Sequence, residues 1–316
     1  ASYSHIAISL EMRMFVRQMS YLLALAREKH FTRAAESCCV TQSTLSSGLK
    51  ALERELNMPL VLRGSRFIGL TPEGERVAAW AVHIVSDYEN LKQDVAGLRS
   101  GLKGTLRLGV VPAAMPAVAK LTAPFCAQNP GLAVNVISLT SAEIQVGIDK
   151  FDLDAGITYL ENEPLTKVRK IPLYEERYLL VTHIDSPLAQ MPSVSWRDAA
   201  AENLCLLNES MQNRRILNNL ARSFGIELIP SITSNSYLAI CSHVCTGGWA
   251  SIIPHTFSYI FRGCRELTFV ELVGPKHSQS IGIVVSERDP LSPIAHALLR
   301  CAGRMVANNP LVPGLA

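Results

Sequence analysis

The sequence has no run of about eighteen apolar residues, the length that a helix needs to cross a bilayer. Its beginning does not show the charged, apolar and small-residue regions of a secretory signal. It also lacks a phosphate-binding glycine loop, a nucleophile elbow and a dinucleotide fingerprint, the motifs of common nucleotide-dependent and hydrolytic enzymes. These absences predict a cytoplasmic protein that is not an enzyme and has no membrane partner.

A strong net charge is also absent, because 30 Lys and Arg residues nearly balance 27 acidic ones and leave +3. The distribution is uneven, since residues 13–71 carry nine Lys or Arg residues against four acids, a local charge of +5. A basic segment on a nearly neutral body is typical of a DNA-binding head. The alternative is that these charges only solvate helix faces.

Residues 31–56 predict two short helices that meet at a tight turn. Four leucines in this stretch recur at the helical period, so one stripe can pack while the polar residues between them face outward. These leucines are Leu45, Leu49, Leu52 and Leu56. Thr41 stands at the N-cap position. The pattern predicts a helix-turn-helix with its recognition helix at about 42–56, preceded by a supporting helix at 14–27. Residues 1–11 are given no role in the fold.

The residues predicted to contact DNA are polar or basic and lie in this stretch or in the hairpin after it. They are Arg33, Thr41, Gln42, Ser43, Thr44, Ser46, Ser47, Lys50, Arg63 and Arg66. Gln42, Ser43 and Ser46 begin the recognition helix and are the candidates for contacts to base edges. Arg63 and Arg66 lie in a β-hairpin wing predicted at 59–71, where they would meet phosphate or the minor groove.

This segment resembles the DNA-binding domain of LysR-type bacterial transcriptional regulators in the order and spacing of its motifs. The matching motifs are Arg33-Ala-Ala-Glu36, Thr41-Gln-Ser-Thr-Leu-Ser46, Leu52-Glu-Arg-Glu-Leu-Asn57, Pro59-Leu-Val-Leu-Arg63 and Leu70-Thr-Pro-Glu-Gly74. Val61 and Gly69 depart from the pattern, because the family usually has Phe at the first position and often a basic residue at the second. The resemblance implies a winged helix-turn-helix at 12–72, double-stranded promoter or operator DNA as the partner, and RNA polymerase as a further candidate partner.

Residues 73–100 predict a linker helix that dimerises. Its apolar residues step alternately by four and three, which is the seam of a two-stranded coiled coil. The seam consists of Val77, Ala81, Ile84, Tyr88, Leu91, Val95 and Leu98. The alternative is a helix packed on its own domain. A dimer would present two recognition helices to two DNA half-sites, and the resemblance implies a homodimer that assembles into a homotetramer.

Beyond a break at 100–104, predicted strands alternate with predicted helices, which favours parallel βαβ units in two α/β lobes. The strands are expected at 105–111, 132–139, 153–159, 178–181, 205–207, 249–253, 269–272 and 281–285, and the helices at 114–128, 141–150, 213–224, 237–246 and 293–306. This layout resembles the family's effector-binding regulatory domain, itself similar to periplasmic solute-binding proteins. It implies a domain at 101–316, with lobe I at about 105–160 and 269–306 and lobe II at about 165–264.

In such folds ligands bind beyond the carboxyl ends of parallel strands. The effector-binding candidates at those ends are Ala113, Met115, Thr140, Ser141, Tyr159, Asn208, Ser210 and Ser236, with Gln212 and Ser234 nearby. The alternative is that these polar residues only cap helices. They favour a small organic anion, and no cofactor or metal is expected. A resemblance to regulators of formate dehydrogenase and carbon-assimilation operons makes formate a candidate.

Eight cysteines pose a redox alternative: Cys38, Cys39, Cys126, Cys205, Cys241, Cys245, Cys264 and Cys301. Peroxide-sensing relatives would place a second cysteine nine residues after the first in the second lobe, but Arg214 stands nine residues after Cys205. A metal site at Cys241, His243 and Cys245 is disfavoured, because the histidine would point away from the cysteines on a helix. A further alternative is a small-molecule binding protein whose N-terminal helices serve only assembly.

Overall fold

The computed structural model describes residues 2–63, 67–161, 164–274 and 278–308. The chain divides into two compact units, Ala1–Ser100 and Gly101–Ala316. Within the described ranges, no helix combines the length and the apolar character that crossing a membrane requires.

The first unit contains the predicted helix-turn-helix, which is confirmed. Its elements are α1 (Ser2–Glu28), α2 (Phe31–Ser37), α3 (Gln42–Glu55), β1 (Val61–Arg63), β2 (Phe67–Leu70) and α4 (Pro72–Ser100). Leu45, Leu49 and Leu52 on α3 are fully or nearly fully buried against α1 and α2. The Thr41 hydroxyl accepts a hydrogen bond from the Thr44 amide at 3.2 Å, so the predicted N-cap is present.

The first helix is longer than predicted. Residues 14–27 were expected to be helical and residues 1–11 to take no part in the fold, but α1 already begins at Ser2. The sequence from 2 to 28 contains neither proline nor glycine, so nothing in it interrupts a helix.

The wing is a two-stranded antiparallel hairpin that is tied to α3. A carboxylate oxygen of Glu53 accepts the amides of Leu60 and Val61 at 3.0 and 3.2 Å. Because Val61 is also buried, the start of the wing has a fixed place on the recognition helix.

The predicted seam of helix α4 is largely buried at its start and exposed further along. Its first turns pack on α1, and Ala81 is fully buried there. Further along the seam, Leu91 is exposed by 60% and Val95 by 52%. Trp80, which lies outside the predicted seam, is exposed by 70%. The alternative of packing on the helix's own domain therefore holds for the start of the seam, whereas the later part is uncovered in the single chain.

The second unit contains two mixed sheets flanked by helices. The elements of the first sheet and its helices are β3 (Gly104–Val110), α5 (Met115–Gln128), β4 (Leu132–Ser138), α6 (Ser141–Asp149), β5 (Ala155–Tyr159), β6 (Val168–Glu176), β13 (Gln279–Ser286) and α11 (Pro293–Asn308). Those of the second are β7 (Tyr178–His183), β8 (Ser193–Ser195), α7 (Trp196–Ala201), β9 (Leu204–Leu207), α8 (Gln212–Ser223), β10 (Pro230–Ser234), α9 (Tyr237–Cys245), β11 (Ala250–Pro254), α10 (Phe257–Ile260) and β12 (Leu267–Val273). The strand orders are β4-β3-β5-β13-β6 and β10-β9-β11-β7-β12-β8.

The parallel βαβ prediction is right for only part of each sheet. Strands β4, β3 and β5 are parallel, as are β10, β9 and β11. Strand β13 runs antiparallel to both β5 and β6, and β7 runs antiparallel to both β11 and β12. We refer to 104–176 with 279–308 as the first lobe and to 178–273 as the second lobe.

These lobe boundaries correct the predicted ones. The strand at 269–272, assigned to lobe I, pairs in the second sheet, where Phe269 lies opposite Val181. Strand β6, which fell within predicted lobe II, pairs with β13 in the first sheet. The chain changes sheets at Arg177, where β6 and β7 meet at this single residue without a loop.

Candidate functional site

The first candidate site is the polar face of α3. Most of the side chains predicted to meet DNA from this helix are exposed, and Ser46 is partly buried. The exposed ones are Gln42, Ser43, Thr44, Ser47 and Lys50. The buried leucines lie on the opposite face and hold the helix to the domain, so this face is free to contact a partner.

Several of these polar side chains already have partners within the unit. Gln42 accepts a hydrogen bond from the Thr32 hydroxyl at 3.1 Å. The Thr41 hydroxyl lies 2.9 Å from that of Ser43 and 2.8 Å from that of Thr44. These bonds link the start of α3 to α2 and to its own N-cap, so the end of the helix that is predicted to read bases is held in place.

The three arginines predicted to contact DNA lie outside α3. The Arg33 guanidinium donates to the Glu28 carbonyl at 2.7 Å, at the end of α1 where a positive charge complements the helix dipole. Arg63 is the last residue of β1. Arg66 lies outside the described residues.

The second candidate site is a cleft between the two lobes. It lies at the ends of β3, β5 and β9 and at the N-termini of α6 and α8, and has about 260 Å³ of space between protein atoms, the open solvent at its mouth included. The lining consists of Val111, Pro112, Ala113, Thr140, Ser141, Tyr159, Leu207, Met211, Gln212 and Asn213. No lining residue is basic, and the space at the centre is about that of one water molecule.

The structure brings together half of the predicted effector residues. Ala113, Thr140, Ser141 and Tyr159 line the cleft, whereas Met115, Asn208, Ser210 and Ser236 are not among its lining residues. The Ser210 hydroxyl donates to the Asn208 side chain at 2.5 Å within its own loop. Ser236 precedes α9 without a side-chain cap.

Thr140 caps the N-terminus of α6 at the cleft. Its hydroxyl accepts the Glu143 amide at 3.2 Å, and Glu143 in turn accepts the Thr140 amide at 2.7 Å. This capping box fixes the start of α6. The Thr140 amide and hydroxyl both donate to the Glu143 carboxylate, and these two hydrogen bonds lower the pKa of Glu143.

Ser141 and Gln212 connect the lobes across the cleft. The Ser141 hydroxyl donates to the Gln212 side-chain oxygen and accepts a hydrogen bond from the Thr158 hydroxyl at 2.9 Å. The Gln212 side-chain nitrogen is buried and has no acceptor among the described residues. The first turn of α8 likewise lacks a side-chain cap, because Met211 occupies the N-cap position. The cleft therefore offers hydrogen-bond donors to a ligand.

Behind the cleft lies a buried acid that sequence reasoning missed. Glu176 has no exposed surface, and one of its carboxylate oxygens accepts from the Tyr159 hydroxyl at 2.7 Å and from the Asn213 amide at 3.1 Å. Its other carboxylate oxygen has no partner among the described residues. Burial raises the pKa of Glu176 to about 8, so the carboxyl group is mostly protonated at neutral pH.

Asn213 links this acid to the second lobe. Its amide also donates to the Tyr178 hydroxyl at 3.1 Å, and its side-chain oxygen accepts from the Tyr237 hydroxyl at 2.7 Å. Burial raises the pKa of both tyrosines further, so they stay neutral. We define Glu176, Tyr159, Tyr178, Tyr237 and Asn213 as the buried polar cluster.

Comparison with known proteins identifies the family of both domains. Residues 16–75 match the family model of the bacterial regulatory helix-turn-helix protein, lysR family, and residues 99–307 match that of the LysR substrate binding domain. The chain is 26% identical over 279 residues to the DNA-binding transcriptional dual regulator OxyR of Escherichia coli, covering 88% of this chain and 91% of that protein. It is 28% identical over 264 residues to a probable hydrogen peroxide-inducible genes activator of Mycobacterium avium, covering 83% of this chain and 85% of that protein.

Solved structures share the fold. A full-length OxyR variant from Pseudomonas aeruginosa superposes with a TM-score of 0.74 at 22% identity, over 94% of this chain and 96% of that one. Full-length CbnR in complex with its target DNA gives a TM-score of 0.65 at 19% identity, over 92% of this chain and 99% of that one. The helix-turn-helix and the two-lobed domain together make this chain a DNA-binding transcriptional regulator, and it belongs to the LysR family.

Proposed function

We propose that this regulator works in the cytoplasm, binds its operator as a dimer or tetramer, and responds to a small hydrogen-bond-accepting molecule between its lobes. The observation that carries the effector part is the pair Ser141 and Gln212. These residues join the lobes across the cleft, and Gln212 keeps an unpartnered buried donor there. A ligand that accepts a hydrogen bond from the Gln212 side-chain nitrogen alters the contacts between the lobes. Ligand binding then shifts how the two lobes are arranged.

The exposed apolar face of α4 supports assembly. Trp80, Ile84, Leu91 and Val95 lie at helical spacing and are exposed in the single chain. Four apolar side chains on one face favour burial against a second copy. Dimerisation would place two α3 helices on two half-sites.

The DNA contact is tested with Gln42→Ala on the upstream intergenic region of the protein's own gene. We expect the preference for operator over scrambled DNA to fall roughly 5- to 150-fold, the equivalent of a lost base contact of about 1–3 kcal/mol. Filter binding or fluorescence anisotropy across a salt titration measures it. Lys50→Ala is the comparison, because loss of a phosphate contact weakens both DNAs alike and reduces the salt dependence. If Gln42→Ala keeps the native preference, Gln42 does not read a base.

The effector is tested by calorimetry of the full chain with formate and other short carboxylates. The cleft favours them because it is narrow and offers donors, and the absence of a basic lining residue favours weak binding of a small anion. We expect heat of binding for at least one of them and an affinity about 2- to 13-fold lower in Ser141→Ala, since a hydrogen bond contributes roughly 0.5–1.5 kcal/mol. Asn219→Ala, at an exposed position on α8, is the matched control. Absence of heat with the whole series would reject short carboxylates as effectors.

A peroxide response is the second candidate, because curated relatives are named hydrogen peroxide-inducible genes activators. Cys205 is the candidate thiol, but it is fully buried in β9, and burial raises its pKa. The residue nine positions later, Arg214, is buried and donates to the carbonyls of Leu207 and Leu228 at 2.9 and 3.3 Å. A thiol with a raised pKa reacts slowly with peroxide, so we place the small-molecule effector first.

A further inference from the structure

A pair of thiols lies at a separate place in the second lobe. The sulfur atoms of Cys245 and Cys264 are 3.8 Å apart, and both residues are partly exposed. Cys245 is the last residue of α9, and Cys264 lies in the turn after α10, where its amide donates to the Phe261 carbonyl at 2.9 Å. These two cysteines are 19 residues apart in the chain and come together only in the folded lobe.

Glycines lie close to both cysteines in the sequence, so the backbone at each thiol can adjust. The sulfur atoms of a disulfide are about 2.05 Å apart. The two sulfur atoms, now 3.8 Å apart, therefore have to approach each other by less than the length of an S–S bond. Cys245 is followed within three residues by Gly247 and Gly248, which both have positive φ angles. Gly263, directly before Cys264, has open space around it. The approach therefore does not require the core of the lobe to move.

We infer that Cys245 and Cys264 form a reversible disulfide when a small organic disulfide is the oxidant. One protein thiolate attacks the small disulfide, forms a mixed disulfide and releases one small thiol. The second protein thiolate then attacks the mixed disulfide, closes the Cys245–Cys264 bond and releases a second small thiol. Two protein thiols are oxidised and one small disulfide is reduced to two thiols, with both protons going to the leaving thiolates.

Cys241 is the competing partner, one helical turn before Cys245 on α9. It is almost completely buried, and burial raises its pKa to about 12. Cys245 is more accessible, although burial and the neighbouring Cys264 thiol raise its pKa to about 11. Because the thiolate is the attacking species, the raised pKa of Cys245 makes attack by this thiol slow at neutral pH.

The test incubates the full chain with excess oxidised glutathione, blocks the remaining thiols, and maps disulfides by mass spectrometry. Trypsin places Cys264 on a three-residue peptide and leaves Cys241 and Cys245 together on one long peptide. We therefore compare Cys241→Ser, Cys245→Ser and Cys264→Ser, with Cys126→Ser as a control at an exposed thiol elsewhere. Circular dichroism shows whether each variant is folded.

We expect the linked peptide in the native chain, in Cys241→Ser and in Cys126→Ser, its loss in Cys245→Ser and Cys264→Ser, and its disappearance on adding a reductant. Retention of the link in Cys245→Ser would assign it to Cys241 and overturn the proposal. Absence of the link in the folded native chain would also overturn it. Operator binding plays no part in this readout, so the result is independent of the proposed function.

Discussion

Glu176→Gln is expected to make the two-lobed domain more stable than the native one at pH 8 and to remove most of its loss of stability between pH 5 and pH 8. The pKa of Glu176 is about 8 in the folded protein, raised by burial from its ordinary value of 4.5. Between these values the folded state holds one more proton than the unfolded state. Unfolding then releases a proton, and the free energy of unfolding falls as the pH rises.

The sign and the size of this effect follow from the two pKa values. The contribution of the protonated carboxyl group is fully present below pH 4.5 and is lost as the pH rises through about 8. The loss amounts to about 1.4 kcal/mol per pH unit in this window, or several kcal/mol in all. Glutamine resembles the protonated acid in shape and carries no charge at any pH, so its variant has no such slope.

Urea unfolding at several pH values measures this, followed by tryptophan fluorescence, to which Trp196, buried in the second lobe, contributes. Glu175→Gln is the matched control, because Glu175 is the exposed neighbour of Glu176 on the same strand. We expect Glu175→Gln to keep the native slope. An unchanged slope in Glu176→Gln would mean that Glu176 is already ionised in the folded protein.

Leu49→Ala is expected to abolish operator binding by destabilising the helix-turn-helix. Leu49 lies in the middle of α3 and is fully buried. Truncating a buried leucine costs about 2–5 kcal/mol, through lost apolar contact and the cavity left behind. That is a large part of the total stability of a small domain. The recognition helix would then lose its fixed position, and DNA binding should fall together with the melting temperature.

The matched control is Leu62→Ala, the same chemical change at a wing position that is 44% exposed. Its effect on stability should stay within about 0.5 kcal/mol, since little buried surface is lost. Thermal unfolding and operator binding of both variants are measured in the same buffer. If Leu49→Ala kept both the native melting temperature and the native affinity, α3 would not be held by this contact.

The helix-turn-helix could be predicted from the sequence because all of its determinants are local. The leucines of α3 recur at the helical period, and Thr41 caps the helix through a contact three residues along. In contrast, β6 was missed because Pro172 interrupts its pattern. Proline is tolerated there since β6 is the edge strand of its sheet, where a missing amide does not break a ladder on both sides.

The buried polar cluster could not be predicted for a different reason. Asn213 lies 37 residues from Glu176 and 54 from Tyr159 along the chain, so no periodicity or spacing links them. Each residue alone looks like an ordinary polar position near the end of a strand or helix. Ser141 was predicted because it begins a helix after a strand. Its bond to Gln212, 71 residues further on, depends on how the lobes meet.

The position of β13 has a consequence for the synthesis of the chain. This strand lies between β5 and β6 in the first sheet, yet it follows both of them by about a hundred residues. On the ribosome, β5 and β6 therefore emerge with the edges that will face β13 unpaired, and they stay so until the whole second lobe has been made. At about 5–20 residues per second this interval is roughly 5–20 s. The second lobe can fold as a continuous insert during that time, whereas the first is completed only after β13 has been made.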